Sequence, residues 1–152
     1  MDRCELAMKY HDRGFNCCQS VLCACGDLTG LNEREALAIA GGLGRGVGGG
    51  EEICGAVTGA VMALSLLAPH TTENDAWEKQ RIYGLSKKLQ AKFREKFENL
   101  RCKDLLSQEL AIDERFPTAK RLGLTKGCQV FIATAVELVE EMQGQIPQKT
   151  KA

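Results

Sequence analysis

The sequence predicts an all-α, single-domain helical bundle with a glycine-rich loop ahead of its central helix. Three observations predict it. Aromatics make up 5% of the residues and β-branched runs are scarce, so little of the chain suits a pleated sheet. Apolar residues recur instead at three- and four-residue steps. The length, 152 residues with 44% hydrophobic and 26% charged, is that of one ordinary globular domain. A chain of this size buries about 68–70% of its unfolded surface, enough for a core without covalent cross-links.

Taken in order, residues 3–12 read as a short helix stopped near Gly14. Asn16 caps a second helix, with Gln19 three positions on as its capping-box partner. Cys17, Val21 and Ala24 share one face of it. Asn32 caps a third helix that carries Leu37 and Ile39 and runs to Ala40. Residues 41–50 hold seven glycines in ten, which no helix or strand tolerates. Glu51 and Glu52 then read as the first turn of a central helix, where acidic groups complement the helix dipole. That helix is apolar nearly all round and ends before Pro69.

Residues 75–100 give the clearest period: Ile82, Leu85, Leu89, Phe93, Phe97 and Leu100 step by three or four. Short helical pieces are expected at 103–110 and 115–122. Gly127 precedes a last helix, with Cys128, Phe131, Ile132, Ala135, Val139 and Met142 on one stripe. The domain is assigned to residues 1–142, and 143–152 read as a frayed tail.

Composition excludes several function classes. Twenty basic residues balance twenty acidic ones, which argues against a dedicated binder of nucleic acid or anionic membrane. Residues 78–104 hold nine Lys/Arg against four Asp/Glu, but no exposed aromatics interleave them, so a solvated face is expected. The start, MDRCELAMKY, has no secretory apolar core. Residues 53–68 carry no charge but are too few for a membrane span of about 20 residues. A cytoplasmic protein with reduced thiols is the expectation.

The eight cysteines then need another role: core filling, metal or cluster ligation, or redox exchange. No CxxC or CxxCH occurs, which removes zinc-ribbon, thioredoxin and c-type haem signatures. No P-loop follows the glycine run, and the GxGxxG spacing of Gly44, Gly46 and Gly49 lacks a preceding strand. Position says more. Cys17, Cys54 and Cys128 fall at expected helix N-termini, and Cys102 at a helix junction. Free N–H groups and the partial positive charge at such ends are expected to stabilise a thiolate and lower its pKa. A cysteine chosen only as a small hydrophobe has no reason to prefer those positions. The glycine run reads in three ways: a flexible loop, an anion nest, or a cradle whose backbone N–H groups approach a bound cluster.

These residues resemble the C_GCAxxG_C_C family of redox-active proteins. The segment Gly14-Phe15-Asn16-Cys17-Cys18-Gln19-Ser20-Val21 is similar to its GxNCAQxV stretch. The glycine run and Glu52-Ile53-Cys54-Gly55-Ala56-Val57-Thr58-Gly59-Ala60 resemble its glycine loop and CGAxxG helix. Cys102 with Leu105, and Gly127-Cys128 before Val130, look like its third and fourth cysteine segments. The family is also similar to the iron–sulfur domain of split-Soret cytochromes.

The resemblance implies a redox role and a functional set of Cys17, Cys54, Cys102 and Cys128, the residues that the helix-end positions also single out. Four thiolates match the ligand count of an iron–sulfur cluster, most simply 2Fe–2S. Separations of 36, 47 and 25 intervening residues mean that the fold, and no single loop, would assemble the site. The chain departs from the family at Cys18, where alanine is usual, and Cys4, Cys23 and Cys25 are extras that read as packing residues. His11 lies near Cys17 in sequence and could join a mixed site, although exposure to solvent is the simpler expectation for it. A thiol–disulfide relay and a structural zinc site are the alternatives to a cluster. The implied role is electron transfer or sensing with a redox partner protein, and the apolar helix faces leave room for a homodimer.

Overall fold

The structure is a computed structural model that describes residues 1–149. Among these residues the chain forms α-helices and one short 3₁₀ turn, with no strand beyond an isolated bridge between Ile53 and Arg101. The all-α expectation is met.

Local signals place most of the helices. Asp2 caps α1 (Arg3–Asp12) by accepting from the Glu5 N–H at 2.8 Å. Asn16 caps α2 (Cys17–Ala24) in a complete capping box: its side chain accepts from Gln19 N at 2.8 Å, and Gln19 accepts from Asn16 N at 2.9 Å. A four-residue helix, α3 (Gly26–Thr29), follows, which the sequence pattern does not announce. Asn32 caps α4 (Glu33–Ala40) as expected. Then come the 3₁₀ turn Gly41–Leu43 and the glycine loop. The central helix is α5 (Gly55–Leu67), and the long one is α6 (Ala76–Phe97), capped by Asp75. Two short helices, α7 (Cys102–Leu106) and α8 (Pro117–Leu122), lead to α9 (Gly127–Gln143).

Helix α5 packs on α2, α9 and α6, and α1 packs on α2 and α9. The α2–α5 contact is close because residue 59 is glycine. A Cβ there would meet the Cys18 carbonyl oxygen at 2.9 Å and Val21 Cβ at 3.1 Å. Four rings from α6, α8's N-cap and α9 fill one end of the core: Phe97 stacks on Phe116 at 5.3 Å and meets Phe131 edge-on at 4.9 Å, with Phe93 at 4.7 Å from Phe97.

One expectation needs correction. Glu51 and Glu52 do not open the central helix. The segment 51–54 is non-helical, with Glu51 at φ 59°, and it pairs with 100–103: Cys54 N donates to Leu100 O at 2.8 Å, Cys102 N to Glu52 O at 2.6 Å and Lys103 N to Glu51 O at 3.2 Å. The helix starts only after Cys54, its N-cap. Residues 144–149 lie along α6, with Lys88 Nζ on Gln145 Oε1 at 2.9 Å, Arg81 on the Pro147 carbonyl at 3.2 Å and Lys149 on Asp75 at 3.5 Å. The remaining residues expected to fray, 150–152, lie outside the described ones.

Candidate functional site

Each of the four singled-out cysteines stands at the start of a helix. Cys17 is the first residue of α2, Cys54 the N-cap of α5, Cys102 the first residue of α7 and Cys128 the second of α9. The fold brings these four ends together. Cys17, Cys54, Cys102 and Cys128 line one open cavity of about 400 Å³, together with His11, Asn16, Arg45, Gly55, Leu105, Leu106 and Phe131. All eight cysteines are free thiols.

Two features of the chain build this convergence. The pairing of 51–54 with 100–103 sets Cys54 beside Cys102. Gly55 then makes room for Cys17: a Cβ at residue 55 would fall inside the contact distance of Cys17 Sγ and lie 3.0 Å from the Leu43 carbonyl oxygen. The glycines of the CGAxxG segment are thus explained as close approaches of α5 to α2.

The electrostatics differ from the helix-end expectation. Burial pushes the Cys54 thiol up to about 12, helped by charge on Cys17 and Cys102, while the Ala56 and Val57 backbone N–H groups pull the other way. Cys102 and Cys128 are also raised, first by burial and then by neighbouring thiolates, with Arg45 opposing in both cases. Desolvation outweighs the helix ends, so without a cation these thiols hold their protons. The mutual repulsion also reports proximity, since Cys17 acts on each of the other three.

The extra cysteines stand apart. Cys4, Cys18, Cys23 and Cys25 are buried in the core, and none lines the cavity. Cys18 Sγ accepts from Thr58 Oγ1 and sits beside Met62 Sδ, each at 3.7 Å, and Cys4 Sγ donates to the Ala133 carbonyl at 3.6 Å. All four pack within the hydrophobic core. His11 is partly buried at the cavity wall, which corrects the expectation of a solvent-exposed histidine. His70 is exposed.

The glycine run is held by bonds of its own. The N–H groups of Val47, Gly49, Gly50, Glu51 and Glu52 donate to carbonyls within the loop, Glu51 to Arg45 O at 3.0 Å and Glu52 to Gly46 O at 2.9 Å. These five N–H groups are committed within the loop. What the loop offers the cavity is one side chain, Arg45, which no motif in the sequence singles out. The available signal is its being the only charged residue among 41–50.

The family profile described as "Putative redox-active protein (C_GCAxxG_C_C)" matches residues 15–142. The chain belongs to this family. Its cysteine-rich, redox-active character follows. Comparison with curated proteins and with solved structures gave no match. Among the described residues of this C_GCAxxG_C_C protein, no helix is long and apolar enough to cross a membrane. Nor are three or more His, Cys, Asp or Glu residues there gathered tightly enough to hold a single metal ion.

Proposed function

We propose that this C_GCAxxG_C_C protein holds an iron–sulfur cluster, most simply 2Fe–2S, on Cys17, Cys54, Cys102 and Cys128, and works as an electron carrier or redox sensor. One observation carries the reading: four cysteines remote in sequence line a single cavity, and the other four do not. Their chemistry fits the group, since four thiolates are the usual complement of such a cluster. Sulfurs spread round a cavity suit a centre of several atoms better than a single tetrahedral ion, whose thiolates close to about 2.3 Å.

When bound, the cluster would supply one-electron chemistry. The chain's own part is to hold and shield it. The raised thiols keep their protons until cations arrive, so loading releases protons and ties the four helix starts together. Leu105, Leu106 and Phe131 wall the cavity with hydrocarbon and limit water. A thiol raised to about 12, as at Cys54, is a poor attacking nucleophile at neutral pH, which weighs against a metal-free disulfide relay through that residue.

Iron and acid-labile sulfide analysis after anaerobic reconstitution tests the reading. The wild-type chain should bind both, and Cys54→Ser should lose both, while Cys23→Ser keeps them. Colourless protein that forms a reversible disulfide between cavity cysteines, or one that takes up stoichiometric zinc with no redox response, overturns it.

A further inference from the structure

The cavity carries a cation that four thiols do not explain. Arg45 stands at φ 50°, in the left-handed region that disfavours a side chain, between Gly44 and Gly46. Its backbone is pinned there by the Glu51 N–H bond to its carbonyl. From that position the side chain reaches the wall of the cavity that Cys17, Cys54, Cys102 and Cys128 line. Its ion-pair partner, Glu51, is loose at 3.8 Å, and both side chains are well exposed. Such a pair holds an arginine weakly and leaves it available to another anion. Beside it the wall turns apolar, through Leu105, Leu106 and Phe131, with Asn16 and His11 as the other polar lining residues. A cavity of about 400 Å³ falls within the range of small-molecule pockets.

We propose that the cavity admits a small organic anion, a carboxylate on a short apolar body, whose charge pairs with Arg45 and whose body lies against Leu105, Leu106 and Phe131 beside the cysteine sulfurs. The inference concerns the same cavity as the proposed cluster. It rests on the four thiols sharing that cavity and not on the cluster itself.

Paired alkylation of the metal-free, full-length protein tests it, with iodoacetate as the anionic probe and iodoacetamide as its neutral match. In both reactions a cysteine thiolate forms a C–S bond and iodide leaves with the electrons of the C–I bond. Rates at Cys17 and Cys128, the partly exposed pair, are read by peptide mass spectrometry and normalised to a free cysteine peptide. Taking the ratio of the two probes cancels the fraction of thiolate, so only steering of the anion remains. Arg45→Gln should lower the iodoacetate-to-iodoacetamide ratio roughly three- to tenfold, the effect of one nearby charge across a partly hydrated gap. Arg45→Lys should keep most of it, and Glu51→Gln should raise it. A ratio unchanged in Arg45→Gln, with both rates falling together, shows that Arg45 only offsets sulfur charge and overturns the proposal. Iron and sulfide content, measured separately on reconstituted protein, reports on the cluster and leaves this outcome independent of it.

Discussion

Cys17 Sγ lies where a side chain on residue 55 would have to go. Two segments 38 positions apart are thereby locked, and the lock explains why a helix N-terminus begins with glycine directly after its cysteine.

Gly55→Ala should therefore destabilise the protein by about 1–3 kcal/mol, the usual cost of forcing a methyl into filled space, and displace Cys17 from the cavity. Gly84→Ala is the matched contrast. Gly84 lies in α6 with nothing within 4 Å of the place a methyl would occupy, so alanine there should stabilise by about 0.5–1 kcal/mol. Urea midpoints of the two variants should move in opposite directions; a Gly55→Ala midpoint at or above wild type would contradict the packing described.

Asn16 serves the fold and the site at once. Its side chain caps α2 and also donates to the Gly41 carbonyl at 3.1 Å, holding the start of the glycine loop against the Cys17 helix. Asn16→Ala should cost about 1–2 kcal/mol in thermal or chemical unfolding, and Asn16→Asp less, because aspartate keeps the cap but loses the bond to Gly41.

Alkali should unfold the metal-free protein earlier than usual. Cys4, Cys25 and Cys54 are raised to about 12, and Cys18 and Cys23 to about 11, against 9.0 for an unperturbed thiol. Above pH 9 the unfolded chain releases these protons while the folded chain keeps them, so the equilibrium shifts toward unfolding. Stability should be level below pH 9 and fall steadily from there to pH 12. Urea titrations at about pH 8, 9.5 and 10.5, across the first part of that decline, measure it. Cys25→Ala, which removes one such thiol, should flatten the decline while lowering the plateau through lost packing.

The aromatic cluster links core and cavity, because Phe131 packs edge-on against Phe97 and also walls the site. Phe131→Ala should cost about 3–5 kcal/mol and, in variants still folded at low temperature, speed iodoacetamide alkylation of Cys128. An unaltered alkylation rate would show that Phe131 does not shield that sulfur.

The sequence makes legible those helices whose signals are local. Asn16 with Gln19, Asn32 and Pro69 act on backbone groups within a few residues, so their effects are readable without the fold. It also marked Cys17, Cys54, Cys102 and Cys128, since motif and helix-end position agree on them. Tertiary structure alone decided what depends on distant partners. Glu51 and Glu52 leave the helix because residues 100–103 take their backbone bonds. Burial, which no local pattern reports, raises the thiols that helix ends were expected to lower. Arg45 and His11 enter the cavity only because the folded loop and α1 carry them there. Hydrogen-bond capping acts over a turn of chain, whereas desolvation and cavity shape are set by every segment that closes around a group.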